Sequence, residues 1–189
     1  MKYLVSALLT EGESDEAFLR PVLQNLLDQM ALTYEFEAGF MRTSPVRAID
    51  LTARVDSAAS VLLKTSDLLF VHRDHRERSK IAALRTRIGA GSRVVAVAPV
   101  LETEAWVLAA AFAVKPPGFD VTKLLGPKEI ERLADPKAEL NRRYGGRQCI
   151  EDFFGLLAEH VDVDVLKQLP AYQTFLQDLT TALKELNFS

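Results

Sequence analysis

The chain has 189 residues, 48% hydrophobic and 26% charged, the balance of an ordinary soluble globular protein able to bury a sizeable core. Its net charge of −3 and pI near 5.7 exclude a protein coated in basic charge, so any contact with nucleic acid has to be local. The single cysteine, Cys149, excludes an internal disulfide and a cysteine-built zinc site and fits a reducing cytoplasm, and no apolar run approaches the ~20 residues that a membrane-spanning helix needs.

Residues 3–9, YLVSALL, form a short apolar run that turns acidic at once and lacks a small-residue cleavage site, so it reads as a strand and not as a secretion signal. TEGESDEAFLRPVLQNLLDQM then changes to helical spacing, with Phe18, Val22, Leu26 and Met30 stepping by four. Ser14 is the expected N-cap, and Asp15 and Glu16 fall in the first turn, where the helix dipole favours negative charge. Pro21 is awkward there, because an interior proline removes a backbone donor.

A second strand is expected within 34–41, and after Pro45 a helix running to about Lys64, with Val46, Ile49, Ala53, Ala58 and Leu62 toward the core. DLLFVH (67–72) reads as a fully buried strand, residues 76–88 as a helix, 92–100 as another buried strand, and 102–113 as a helix that is apolar on most faces. Strands alternating with helices imply an α/β fold, with a mainly parallel sheet flanked by helices. VKPPGFD (114–120) breaks the pattern, and the remainder of the chain is expected to be helical near 127–133, 136–143, 148–160 and 171–186, the last carrying Phe175, Leu179, Leu183 and Leu186. The expected organisation is therefore a core over 1–114 and a helical C-terminal subdomain over 115–189 packed on it.

In a parallel α/β sheet, ligands collect outside the carboxyl ends of the strands. Acidic residues follow three of the expected strands: Glu11 the first, Asp74 the third, and Glu102 with Glu104 the fourth. Carboxylates that converge on one edge repel each other unless a divalent cation sits among them, and Mg²⁺ or Mn²⁺ prefers such hard oxygen ligands. Gly12 would let the backbone turn sharply beside Glu11, and the helix N-terminus after it could face a phosphate. Glu11, Glu13, Asp15 and Glu16 also read as a soluble turn with an N-terminal dipole match, and Glu102 and Glu104 as a cap of the next helix by charge alone. Residues 73–93 hold seven cations (Arg73, Arg76, Arg78, Lys80, Arg85, Arg87 and Arg93) against Asp74 and Glu77, a local charge of +5. That concentration suits a nucleic-acid backbone, or a solvated helix face with local ion pairs. His72 and His75 without a third ligand make a poor zinc site. The HRD at 72–74 lacks the rest of a kinase catalytic loop, and no phosphate-binding GxxxxGK[ST] loop is present.

Taken in order, TEGESDEAFL, LLFVHRD, PVLETEAWVLAA and ADPKAELNRRYGG resemble the compact TOPRIM-like proteins grouped as a domain of unknown function. These are related to the nuclease half of the overcoming-lysogenization-defect (OLD) family and to the TOPRIM domains of bacterial primases and topoisomerases. The resemblance covers most of the chain and implies a Rossmann-like TOPRIM core. It matches Glu11 to the glutamate after the first strand and Asp74 to the first aspartate of an Asp-x-Asp motif. It further implies Mg²⁺ or Mn²⁺ bound by Glu11 and Asp74, with both catalytic in phosphodiester cleavage, while Glu77, where the loop bends, and Glu102 or Glu104, from the neighbouring strand, are the candidates in this chain to complete the metal site. Arg73, Arg76, Arg78, Lys80 and Arg85 would then hold the nucleic acid, DNA in the first instance, and an OLD-type ATPase would be the partner in phage defence or DNA repair. One position departs from the pattern: Arg76 stands where the second aspartate belongs, with Glu77 one place later. The alternative implied by that departure is a catalytically degenerate module that binds nucleic acid or a partner ATPase.

Overall fold

The computed structural model describes residues 2–44, 46, 53–74, 77–144 and 150–188. Where one strand is expected over 3–9, Val5 divides the run into β1 (Lys2–Leu4) and β2 (Ser6–Leu9). The two halves take different partners: β1 pairs with β3 (Phe36–Ala38), and β2 lies between β4 (Arg42–Thr43) and β5 (Leu68–His72). At the break, the Val5 amide donates to Asp67 Oδ2 at 2.9 Å and the Val5 carbonyl accepts from the Asp67 amide at 2.7 Å. β6 (Val94–Val97) adds to β5, so the larger sheet has the order β4-β2-β5-β6 with every pairing parallel. The strand expected within 34–41 is β3, and β4, just beyond that range, is a further short strand that joins the larger sheet.

The connections are helices, as parallel neighbours require. α1 (Glu13–Tyr34) follows β2, α2 (Ala53–Leu62) leads into β5, and α3 (Arg78–Arg87) joins β5 to the three-residue 3₁₀ turn before β6. α4 (Glu104–Val114) follows β6, and α5 (Pro127–Ile130), α6 (Pro136–Tyr144), α7 (Ile150–His160), α8 (Val163–Leu166) and α9 (Pro170–Glu185) complete the chain. The helix N-cap is Gly12 rather than Ser14, and α1 runs on through Pro21 because the buried Phe18, Leu19, Val22 and Leu23 hold the backbone on both sides of it.

Alternate side chains of the sheet serve two faces. Leu8, Phe70, Val95 and Val97 pack with α1, α4, α7 and α9 in the larger cluster, while Ala7, Leu9, Leu69, Val71, Val94 and Ala96 pack with α2 and α3. Val46 and Leu62 pack against this cluster as expected, but its buried members from this segment are Val55, Ala59 and Leu63, Ala53 is exposed, and Ile49 lies outside the described residues. α4 is buried on nearly every side, from Glu104 to Ala111. Residues from 119 onward share the larger cluster, through an edge-on contact of Phe18 with Phe154 at 6.2 Å and of Trp106 with Tyr172 at 5.1 Å. Trp106 Nε1 donates to Glu131 Oε1 at 3.1 Å, and Glu131 Oε2 accepts from the Ala171 amide at 3.1 Å, so one buried carboxylate ties α4 to the start of α9. This is a Rossmann-like arrangement of a parallel sheet between helical layers. Among the described residues no helix is long and apolar enough to cross a membrane.

Candidate functional site at the carboxyl edge of the sheet

The chain leaves β2 for β4 on one side of the sheet and later returns past β2 to place β5 on the other. The direction of strand addition therefore reverses between β2 and β5, and in open parallel sheets the crevice at such a reversal is where ligands bind. Glu11 and Asp74 stand two residues beyond the ends of these two strands. The register Leu9↔Val71 brings the two exits side by side, and the Asp74 amide donates to Glu11 Oε2 at 3.3 Å. Between them comes Arg73, whose amide extends the ladder by donating to the Val97 carbonyl at 3.1 Å. The residue is 6% exposed, and its guanidinium spans two carboxylates: Nη1 lies 2.8 Å from Glu11 Oε1, and Nε donates to Glu77 Oε2 at 2.9 Å. Glu77 is further paired with Lys80, and these two cations, Lys80 first, hold its carboxyl below the usual range.

Asp74 is held from behind. Its Oδ1 accepts from the Thr103 amide at 3.0 Å and lies 3.3 Å from His72 Nε2, which is itself 2.8 Å from Thr103 Oγ1. His72 is wholly buried, and its Nδ1 faces Asp15 Oδ2 at 3.9 Å without forming a hydrogen bond. Burial pushes the imidazole toward neutrality, but the contact with Asp74 and the charges of Asp15, Asp74 and Glu11 together outweigh it, so its pKa is raised. Desolvation also raises the Glu11 carboxyl above its ordinary value, against the opposing Asp74 amide and Arg73.

The third contribution comes from the turn after β6. Glu104 is almost fully buried at the start of α4, and desolvation lifts its pKa from 4.5 to about 7, with Glu102 and Asp15 adding to the rise and Lys137 of α6 opposing it from 3.8 Å. Glu102 points away to α6, where its Oε2 accepts from the Lys137 amide at 3.2 Å.

Glu11 and Asp74 thus come together, and Asp15 faces His72 beside them and acts on Glu104, whereas Glu77 and Glu102 are engaged by Arg73 and Lys80 and by the Lys137 amide. Among the described residues, no three His, Cys, Asp or Glu side chains converge as a ready-made metal cage. Arg76 and His75 lie outside the described residues. Gly12 is extended, with φ −139, so it is not needed for a sharp turn; a Cβ there would sit 3.2 Å from Asp15 Oδ2, which is what the glycine makes room for. The first turn of α1 carries Glu13, Asp15 and Glu16, which repel a phosphate and attract a cation. Asp15, Thr103 and Lys137 are the participants that the sequence did not single out as site residues. Asp15 carried the only available signal, since it lies four residues after Glu11 and so stays near the same edge.

Among the described residues, several cations of the basic run are engaged by other parts of the chain. Arg78 pairs with Asp178 of α9, and Arg85 Nη2 donates to the Val94 carbonyl at 2.6 Å. Arg87 forms a two-pronged pair with Asp56 of α2 at 2.8 Å, and Arg93 donates to the carbonyls of Leu63, Ser66 and Asp67. These cations tie α3 and the turn before β6 to their neighbours. Arg78, Ser79, Arg85, Ser92, Asp178 and Glu185 line a cleft of about 460 Å³ between α3, α9 and the edge of β6. Comparison of the chain with protein-family models, with curated proteins and with solved structures finds no match.

Proposed function

We propose that this protein is a TOPRIM-like, metal-dependent nuclease whose reaction centre is the crevice between the ends of β2 and β5. The observation that carries the reading is the meeting of Glu11 and Asp74 at the reversal of strand order, with the Asp74 amide bonded to Glu11 at 3.3 Å. The donor set fits a hard cation in type: Glu11 and Asp74 offer oxygen ligands to Mg²⁺ or Mn²⁺, which keeps several waters when held by one or two carboxylates, and Glu104, once ionised, is the proposed further ligand. The bound ion supplies polarisation of a phosphodiester and a more acidic water. The protein's own residues do the rest. His72 and Thr103 fix the Asp74 carboxylate through Oδ1. Glu11, with its raised pKa, is suited to hold or release a proton beside the cation. The setting that goes with this reading is phage defence or DNA repair beside an ATPase partner, and it rests on the resemblance of the sequence motifs alone.

A second reading is favoured by one observation, the Arg73 guanidinium between Glu11 and Glu77, which already balances the acids. On that reading the protein is a degenerate TOPRIM-like module that binds nucleic acid or a partner ATPase without cutting. Mn²⁺-dependent cleavage of single- and double-stranded DNA, assayed in wild type beside Glu11→Gln and Asp74→Asn, separates the two. Cleavage lost in both folded variants supports the nuclease. Cleavage undiminished in both refutes the assignment of these residues, and binding without cleavage in wild type supports the module.

A further inference from the structure

We infer that Arg73, which bridges Glu11 and Glu77, is a displaceable counter-ion of Glu11 that passes to a substrate phosphate when a divalent metal enters between Glu11 and Asp74. The inference rests on the metal-dependent reading above and goes beyond it, because it makes metal and nucleic acid bind as a linked pair.

The geometry is that of a placeholder. Arg73 follows β5 directly, its amide is fixed to the Val97 carbonyl at 3.1 Å, and its stem cannot leave the edge of the sheet. The charged head, at the end of a long stem, can reach more than one acceptor on that edge, and it now bridges Glu11 Oε1 and Glu77 Oε2. Glu11 cannot offer Oε1 to a metal while that pair stands, since a guanidinium and a divalent ion at one carboxylate oxygen repel each other. A phosphodiester bound at the crevice presents two anionic oxygens in the spacing that a guanidinium matches with two parallel hydrogen bonds. Movement of the head from Glu11 to that phosphate frees the carboxylate at the moment a metal is needed there. Glu77 keeps Lys80 as a partner throughout, so departure of Arg73 does not strand it. Linkage makes the coupling reciprocal: a phosphodiester tightens metal binding by the factor by which the metal tightens the phosphodiester.

The test is calorimetric titration of Mn²⁺ alone into wild type and into Arg73→Gln and Arg73→Lys, each checked by circular dichroism melting, then into wild type saturated with a short oligothymidylate. Arg73→Gln is expected to bind Mn²⁺ about tenfold or more tightly than wild type, because the competitor is gone. Arg73→Lys, which keeps a charge but cannot bridge both acids, is expected between them. The oligonucleotide is expected to tighten Mn²⁺ binding to wild type by a similar factor and to change that of Arg73→Gln much less. Equal Mn²⁺ affinity in wild type and Arg73→Gln overturns the role of Arg73 and leaves the metal site standing. Absence of Mn²⁺ binding from every protein, with and without the oligonucleotide, overturns the metal-dependent reading as well. Should Arg73→Gln not fold, wild type alone decides: an Mn²⁺ affinity that the oligonucleotide leaves unchanged refutes the coupling.

Discussion

Neutralising one side chain should change how the protein's stability depends on pH. Glu104 lies at the start of α4 with 12% of its side chain in solvent, and its pKa in the folded protein is about 7 against an ordinary 4.5. Between those two values the folded state holds a proton that the unfolded chain has released, so stability must fall as pH rises across that window and level off above it. The difference corresponds to about 3 kcal/mol, a ceiling given the residual exposure and Lys137 at 3.8 Å. His72 and Glu11 are raised too and change stability in the same direction, but they are common to wild type and Glu104→Gln and drop out of the difference. Glu104→Gln should therefore match wild type near pH 4.5 and exceed it at pH 8 by about 2–3 kcal/mol. For a chain of this size that is roughly 4–12 °C in Tm. Thermal or urea melts of both proteins across pH 4.5–8 are the assay. Parallel curves, with the same loss in each, would refute the assignment of a buried, proton-holding carboxyl to this position.

Trp106→Phe should cost about 2–4 kcal/mol, because it removes ring area from a fully buried site and leaves Glu131 Oε1 without its donor; a urea midpoint equal to that of wild type would refute this account. Gly89 follows α3 with φ +61 and open space around it, so Gly89→Ala should cost about 1 kcal/mol through backbone strain alone. Gly126→Ala is the control, since the backbone there is in the ordinary extended region at φ −67 and ψ 162, and equal losses at the two positions would remove strain as the cause.

Legibility in the sequence tracks the range of the interactions involved. DLLFVH and VVAV are legible as strands because both faces of the sheet are covered, which demands continuous apolar runs, and α9 is legible because Phe175, Leu179 and Leu183 repeat at the helical period. The break at Val5 is not legible, because it arises from Asp67, a partner 62 residues away. The same holds at the site. Glu11 and Asp74 announce themselves by following strands, but the position of Arg73 between Glu11 and Glu77 depends on the parallel register of β2 with β5. A local count of +5 over residues 73–93 does not say which cations are paired, because Asp56 and Asp178, which pair with Arg87 and Arg78, come from α2 and α9. Thr103 is not legible either, since its amide and hydroxyl meet Asp74 and His72 only through the pairing of distant strands.

The all-parallel order of the larger sheet also bears on how fast the native state is reached. No hairpin can seed it: β2, with a neighbour on each side, pairs Leu8 with Phe70 only after the intervening chain has been closed into a loop, and β6 joins later still in sequence. The loop entropy must be met before any ladder bond compensates it, which puts the chain among slow, high-contact-order folders. Until Leu69 and Val71 arrive, the apolar segment Ala7–Leu8–Leu9 presents unpaired backbone on an open edge, so early refolding intermediates are the species most prone to associate.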